Sequence, residues 1–497
     1  MVEKRSGDEL DLVGSSIRAV YGTSVSTSLF VVSGLIYAFV TTPSTAGEFF
    51  FISLLISLIM RPIAGIAKTL HKIGSESGEN VSSYLGIALG FSGIYLLGIT
   101  GCLFILSDFL AEQTIYRNEL FIIAVVLAIT GIVGNMTTGL LSAVGYPGYI
   151  TWIQAVIDFC RLSTLLVFAD AVSTVTNIII VNVSFSLLIY LPVFYYIGIL
   201  PSIPNRDEIA RSWDFAKWSI PDQVVDRLSY SMPVYVLGIV ATPTAVGIYE
   251  AADRLSDFGA TISWRLSSPL MTKVSGEWSV NKDSMHEYLD SAVTGGTGVT
   301  FAVIGYLISS YSTLSSIVFP EAPFIFSVTM MLVGGINILR GFWTLISHAM
   351  EGVNQPSVSL TTKLYGLIIS VPVTVLLAGE YGAIAGAIGY IVMNIVISVY
   401  VFKYSRDYFG RLLVDWNLVL RYIISTIISG AVSYAIIQSI QIVTGSMVLS
   451  AVIGAFCCII TYGAVMYLIS DQAKKVIRRA LKLTKSTQTP DNQSENE

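Results

Sequence analysis

Four arginines stand out because they lie in apolar stretches with no acidic residue within one helical turn: Arg18, Arg61, Arg265 and Arg340. A charge at the centre of a bilayer costs at least about 2.5–3.5 kcal/mol, so each arginine needs a stabilising interaction. A guanidinium group without a carboxylate neighbour suits an anionic ligand, because its planar fork binds two phosphate oxygens at once. The pattern therefore predicts a phosphate-binding site. Snorkelling of these side chains to the cytoplasmic interface is the alternative.

Acidic residues at membrane depth form a second group of candidates. Asp158 lies three residues before Arg161, and Glu250 lies four residues before Arg254, so both pairs can form an ion pair within one helix. Binding of a coupling cation or a proton is the functional alternative for such acids. The candidates for that role are Asp158, Asp222, Asp226, Asp253 and Asp257.

The residue types that usually perform enzyme chemistry are scattered along the chain. The three histidines lie near predicted cytoplasmic span ends without metal-ligand spacing, and the four cysteines lie inside apolar runs. No glycine-rich phosphate loop followed by a lysine occurs, so the sequence offers no nucleotide site of that kind. We therefore expect a transporter without a metal or other cofactor, rather than an enzyme.

The composition indicates that these charges lie in a membrane protein. Apolar residues make up 54% of the 497 residues and charged residues only 12%, and the mean hydropathy is +0.72. A chain with so little charge fits lipid better than water as its surroundings. The net charge of −5 is too small to indicate a nucleic-acid partner.

About fourteen apolar segments are long enough to cross a bilayer, which predicts an all-α, polytopic membrane protein. They lie near 15–40, 47–70, 81–107, 119–143, 149–169, 173–199, 218–241, 245–272, 287–313, 323–349, 357–378, 381–403, 417–440 and 446–470. With the N-terminus on the cytoplasmic side, Arg117 is the one basic residue in a predicted outer loop, as the positive-inside rule favours. We therefore expect a multi-pass protein of the cell membrane with both termini in the cytoplasm.

The two halves of the chain share a loop motif. Pro43 and Gly47 recur as Pro243 and Gly247, 200 residues later in both cases, and each copy follows the first predicted span of its half. An even number of spans separates the copies, so the repeats have the same orientation in the membrane. This predicts two parallel six-helix bundles around a central cavity, with two further helices appended at the C-terminal end.

The repeat and the spans together give a division of the chain. The expected parts are a cytoplasmic N-terminus (1–14), a first bundle (15–199), a cytoplasmic linker (200–217), a second bundle (218–403), two appended helices (417–470), and a tail (471–497). The tail begins with lysines and arginines, which we expect to lie along anionic lipid headgroups, and it ends in a polar stretch expected to be disordered.

Three loop segments have a pattern that is shared with known proteins. They are Thr-Pro-Ser-Thr-Ala-Gly-Glu-Phe-Phe at 42–50, Thr-Pro-Thr-Ala-Val-Gly-Ile-Tyr-Glu-Ala-Ala-Asp-Arg-Leu at 242–255, and Glu-Gly-Val-Asn-Gln-Pro at 351–356. In this topology they resemble the multidrug/oligosaccharidyl-lipid/polysaccharide flippase superfamily, and its polysaccharide-biosynthesis branch in particular. The resemblance implies two six-helix bundles in a V around a central cavity.

The resemblance also implies an activity, the flipping of a polyprenyl- or dolichyl-phosphate-linked sugar from the cytoplasmic to the outer leaflet. In the peptidoglycan-precursor flippases of this superfamily, arginines of the first, second and eighth spans line a cationic cavity. The residues of this chain in those spans are Arg18, Arg61, and Arg254 or Arg265. The drug-exporting branch relies on acidic cavity residues, which this chain also contains.

Three functions are consistent with these features. The first is a flippase for a lipid-linked saccharide, which would work with glycosyltransferases or an oligosaccharyltransferase to assemble surface polysaccharide or surface-layer glycoprotein glycans. The second is a cation-coupled exporter of small organic cations, in which the aspartates rather than the arginines would be essential. The third is a membrane scaffold without transport, in which the arginines would matter only for folding.

Overall fold

The computed structural model describes residues 43–74, 80–105, 119–144, 146–168, 175–277, 282–353, 355–411 and 413–470, and the single positions 22, 25, 26, 29, 32 and 474. These residues form fourteen α-helices and contain no strand, which confirms the all-α class. The helices are α1 (Pro43–Ile59), α2 (Arg61–Gly74), α3 (Val81–Ile105), α4 (Glu119–Ala143), α5 (Pro147–Val167), α6 (Val175–Ile197), α7 (Arg206–Val240), α8 (Pro243–Glu277), α9 (Lys282–Val318), α10 (Pro323–Gly352), α11 (Pro356–Tyr381), α12 (Ala383–Phe409), α13 (Trp416–Thr444) and α14 (Met447–Ile469). Most of the predicted first span, and nearly all of the tail, lie outside the described residues.

Nine helices in the described ranges are long and apolar enough to cross a membrane on their own, and α1 with α2 forms a tenth as a bent pair. The two members of this pair meet at an angle of 49°, at Met60. Pro62, two residues later, has no N–H to donate to the preceding turn, which accounts for a bend at this point. The predicted second span is therefore a bent helix, with Arg61 at the bend.

The predicted linker at 200–217 is only partly a loop. At the start of α7, Asn205 accepts a hydrogen bond from the backbone N–H of Glu208, and the Glu208 carboxylate accepts one from the backbone N–H of Asn205. This capping box satisfies two N–H groups that otherwise lack partners, and it starts the helix well before the predicted span. The seventh span thus continues as a helix through 206–217.

The helices pack as two groups with an appended pair. In the first half, α2 packs against α3 and α4, and α4 packs against α6; in the second half, α8 packs against α10, and α10 against α9 and α12. The pair α13 and α14 packs against α9. The main contacts between the halves are those of α1 with α8 and of α2 with α7. The arrangement agrees with the predicted two bundles and two further helices.

The two copies of the repeated loop motif contact each other. A Cβ atom added to Gly47 would lie 1.8 Å from the carbonyl oxygen of Pro243 and 3.0 Å from the backbone nitrogen of Gly247. Only a glycine allows the backbones of α1 and α8 to approach this closely. The contact between repeat copies is expected if both lie beside the axis that relates the two halves.

A second contact between the halves lies toward the predicted cytoplasmic side. A Cβ atom on Gly65 of α2 would lie 2.8 Å from the Cα atom of Ile220, and the Ser219 hydroxyl donates to the Gly65 carbonyl oxygen at 3.2 Å. Farther along α7, the Tyr235 hydroxyl donates to the carbonyl oxygen of Leu54 in α1 at 2.9 Å. The bent second span therefore runs antiparallel to α7 over most of its length.

We predict that Gly47→Ala weakens the contact between α1 and α8, because the new methyl group would overlap the Pro243 carbonyl oxygen. Overpacking of this kind costs about 1–3 kcal/mol. The measurement is the midpoint of thermal unfolding of the purified protein in detergent. Gly379→Ala is the matched control, since a Cβ atom there meets nothing within 4 Å. An equal midpoint for both variants would contradict the assignment of a close contact at Gly47.

Candidate functional site

Four charged side chains from α2, α7 and α11 form what we call the interface cluster: Arg61, Asp226, Arg227 and Lys363. Arg61 is the first residue of α2, and the charges that act on it most are those of Arg227 and Asp226. Within the described part of the chain, Arg61 makes no hydrogen bond and no ion pair. The predicted isolation of this guanidinium group is therefore seen in the structure.

The Lys363 ammonium group lies 2.6 Å from Oδ1 of Asp226, and their side chains are 9% and 47% exposed. The Asp226 side chain is thus half exposed although residues of α2 and α11 surround it, which indicates that it faces an accessible space between the helices. Lys363 was not among the residues predicted from sequence. It lies inside the predicted span 357–378, so the rule that marked the arginines also applies to it.

Arg227 is the second cation of this cluster that lacks a carboxylate partner. Its guanidinium carbon lies 5.6 Å from the ring centre of Tyr230, and its buried Nε atom has no hydrogen-bond partner. The neighbouring Asp226 carboxylate is already bonded to Lys363. These four residues are three cations and one carboxylate, and the nearby Asp222 carboxylate, which also acts on Lys363, is paired with a further cation, Lys68.

The acidic cluster, formed by Glu250, Asp253, Arg254, Asp257 and Arg340, has the opposite balance of charge. Arg340 of α10 forms an ion pair with Asp257 of α8, and Arg254 lies 3.1 Å from Oε1 of Glu250. The expectation that Arg340 lacks a carboxylate neighbour is therefore wrong. Its partner lies on another helix, where spacing along the sequence does not show it. Arg254 pairs within its own helix, as the four-residue spacing predicts.

Asp253 is the acid of this cluster without a cationic partner in contact. It is 6% exposed, and its Oδ1 atom has no hydrogen-bond partner. The buried Tyr249 hydroxyl and the buried Nδ2 atom of Asn337 also lack partners. Unsatisfied buried polar atoms are costly, so this position favours the binding of a proton, a cation or a water molecule.

Asp158 lies in α5, away from both clusters. It accepts hydrogen bonds from Ser26 and Gln154, each at 3.0 Å, and its Oδ1 atom lies 3.3 Å from Arg161. Arg161 also donates to the Ser186 hydroxyl at 2.6 Å. The Asp158 carboxylate is thus surrounded by donors, which fits the structural ion pair predicted as its alternative role better than a cation site.

The structure says less about the remaining predicted site residues. Arg18 lies outside the described residues. The backbone of Arg265 belongs to α8, two turns beyond Asp257, toward the predicted cytoplasmic end. Asp222 lies 3.5 Å from Lys68 in an ion pair between α7 and α2. The structure thus brings Arg61 and Asp226 together, and separately Asp253, Asp257, Arg254 and Arg340.

We predict that Asp257→Ala and Arg340→Ala each destabilise the protein, and that the double variant is less destabilised than the sum of the two single effects. Each single change leaves a buried charge unpaired, at a cost of about 3–5 kcal/mol, and the second change removes that charge. Thermal unfolding of the three variants gives the coupling. The exposed pair Asp214 and Lys217, 2.8 Å apart, is the control and should show at most about 1 kcal/mol. Additive effects at Asp257 and Arg340 would refute the pairing.

Comparison of the sequence with known proteins identifies a distant relative. The chain is 21% identical over 443 residues to the probable low-salt glycan biosynthesis flippase Agl15 of Haloferax volcanii, a match that covers 85% of this chain and 90% of that protein. No protein-family model matches the chain. The relative is described as a flippase, which agrees with the prediction of a transporter rather than an enzyme.

Solved structures of two membrane transporters share the fold of this chain. The lipid II flippase MurJ in an inward closed conformation matches with a TM-score of 0.71 at 11% identity, covering 92% of this chain and 98% of that one. An inward-facing multidrug resistance MATE family transporter of the MOP superfamily matches with a TM-score of 0.63 at 14% identity, covering 80% and 98%. The resemblance drawn from the loop motifs is confirmed: the chain has the fold of the multidrug/oligosaccharidyl-lipid/polysaccharide superfamily of flippases and transporters.

Proposed function

We propose that the protein is a flippase that moves a polyprenyl- or dolichyl-phosphate-linked saccharide from the cytoplasmic to the outer leaflet of the cell membrane. The observation behind this proposal is Arg61, a guanidinium group at membrane depth that has no partner in the described residues and lies between the two bundles. An anionic headgroup would satisfy it. The flippase description of the sequence relative and of MurJ supports the choice of substrate class.

The physical task of such a protein is to replace the water around a sugar phosphate. Neither group crosses about 30 Å of hydrocarbon unaided, because removing water from polar and charged groups costs many kcal/mol. In our proposal the phosphate binds at the interface between the bundles and the sugar occupies the cavity, while the prenyl tail remains in lipid. Rocking of one bundle against the other then opens the cavity to the outer leaflet.

The interface cluster has an excess of cations and the acidic cluster an excess of acids, so we assign phosphate binding to the first and ion coupling to the second. Arg61 is the proposed phosphate ligand, and Arg18 and Arg265 remain candidates for the same role. Arg340 and Arg254 have carboxylate partners, so we assign them to the acidic cluster instead. There Asp253, with its unpartnered Oδ1 atom, is the proposed site of a coupling proton or cation.

Arg61→Ala is expected to lower flipping by about tenfold or more, since a hydrogen bond to a charged group contributes about 1.5–3 kcal/mol. The assay follows a labelled polyprenyl-phosphate sugar from the inner to the outer leaflet of vesicles that contain the purified protein. Arg206→Ala is the matched control, because this exposed arginine lies at the start of α7, outside the predicted span. Normal flipping by Arg61→Ala would exclude Arg61 as the phosphate ligand.

Asp253→Asn tests the coupling role. The side chain has the same shape, and the buried carboxylate has no ion pair to lose, so the variant should fold with nearly unchanged stability. We expect flipping to become independent of an imposed proton or sodium gradient, measured in the same vesicles with and without the gradient. A variant that keeps the gradient dependence of the natural protein would show that the coupling site lies elsewhere.

A cation-coupled exporter of organic cations is the second candidate function, because the acidic cluster has three acids and two arginines and a MATE transporter shares the fold. The two candidates differ in which substitution stops transport. Export of a cationic dye by vesicles containing the natural protein, abolished by Asp253→Asn but not by Arg61→Ala, would favour the exporter.

A further inference from the structure

We propose that Arg227 of the second bundle and Arg61 of the first bind one phosphate group from two sides, and that Lys363 turns from Asp226 to this phosphate when it arrives. The inference rests on the proposed function and identifies two further residues of the substrate site, Arg227 and Lys363. The ligand is a phosphate mono- or diester, which belongs either to a lipid carrier or to a small soluble molecule.

The packing of the second span on α7 places the two arginines at the same depth. Gly65 lies against Ile220, and Leu54 accepts a hydrogen bond from Tyr235. Arg61 lies between these two contacts on the second span, and Asp226 and Arg227 lie between them on α7. Because the helices run antiparallel, the three residues are at the same depth. The interaction between the charges of Arg61 and Arg227 agrees with this register.

The electrostatics of the position call for an anion. Neither arginine forms an ion pair with a described residue, and the single carboxylate between them is bonded to Lys363. Asp222 of α7 and His348 and Glu351 of α10 also act on this cluster. Asp222 is paired with Lys68 at 3.5 Å, and the described residues include no ion pair to His348 or Glu351. Two like charges brought together across an interface repel each other, so a shared phosphate would turn a destabilising contact into a stabilising one.

In this structure the Asp226 carboxylate occupies the position on Lys363 that we assign to a phosphate oxygen of the ligand. Its Oδ1 atom accepts a hydrogen bond from Lys363, as a phosphate oxygen would, and its side chain is 47% exposed while that of Lys363 is 9% exposed. The carboxylate can therefore move into the accessible space and leave the ammonium group in place. Exchange of one anionic oxygen for another keeps the buried lysine paired throughout, which avoids the cost of an isolated charge.

A phosphate held in this way also joins the bundles. Arg61 belongs to the first half, whereas Arg227 and Lys363 belong to the second, so the ligand would complete an interface that otherwise contains repelling cations. Binding would favour the state in which α2 and α7 are packed together, and release would favour their separation. The site thus links occupancy to the relative position of the two bundles.

The test measures binding rather than transport. The full-length protein in detergent is titrated calorimetrically with farnesyl phosphate, with farnesol and with inorganic phosphate. We expect farnesyl phosphate to bind and farnesol to bind at least about tenfold more weakly, because it lacks the charge-assisted hydrogen bonds. Inorganic phosphate binding as tightly as farnesyl phosphate would assign the site to a soluble phosphate rather than to a lipid carrier, and the phosphate chemistry would stand.

Two variants are expected to act in opposite directions. Arg227→Gln should weaken farnesyl phosphate binding by about ten- to hundredfold, and Arg227→Lys should lose less. Asp226→Asn should tighten binding, because it removes the carboxylate that competes for Lys363. If the ligand bound elsewhere and the ion pair were purely structural, Asp226→Asn would leave binding unchanged or weaken it. Arg421→Gln in α13, outside both bundles, is the control and should bind normally.

The outcomes separate this inference from the proposed function. If Arg227→Gln and Arg227→Lys bind farnesyl phosphate as the natural protein does, or if farnesol binds equally well, the two-sided site is wrong even if flipping occurs. If the site binds phosphate as described but the vesicle assay shows no movement of a lipid-linked saccharide, the binding site stands and the flippase proposal fails.

Discussion

The cost of holding a charge at membrane depth is the constraint on which the arrangement of this protein depends. Each ionised side chain there needs a partner, a water-accessible surface or a ligand. The structure meets this need with ion pairs between and within helices: Arg161 with Asp158, Arg254 with Glu250, Arg340 with Asp257, and Lys363 with Asp226. The last two pairs join different helices, but the pairs leave some charges without a partner. What remains unmatched indicates where a ligand is needed.

The unmatched charges are separated by sign. Arg61 and Arg227 give a positive excess at the interface between the bundles, and Asp253 gives a negative excess inside the second bundle. The function proposed above, in which an anionic headgroup binds and a cation drives transport, would use this separation to keep the two ligands apart. The two clusters are connected by α7 and α8, which are joined by a short turn at 241–242, and the Tyr230 hydroxyl of α7 donates a hydrogen bond to Asp257 of α8 at 2.9 Å. Movement of this hairpin would affect both sites at once.

Much of the fold follows from the sequence, because apolar length and loop charge act locally. The spans and the all-α class rest on such signals. The contact between the two copies of the repeated loop motif was not predicted, because it depends on how the halves pack. The isolation of Arg61 was also predictable. The pairing of Arg340 was not, because its partner lies 83 residues away on another helix. Arg227 did not meet the criterion applied to the arginines, because Asp226 directly precedes it. Its role depends on the register between α2 and α7, which only the packed structure supplies.

The bend at Met60 gives the second span a part in both contacts between the halves. Its outer part, α1, meets α8 through Gly47, and its inner part, α2, meets α7 through Gly65. A straight helix would tilt as one body, so that closing one contact would tend to open the other. A bend of 49° between the parts allows each contact to form by itself. Arg61 lies at the bend, and a ligand bound there would therefore act on the one point where the two contacts are mechanically joined.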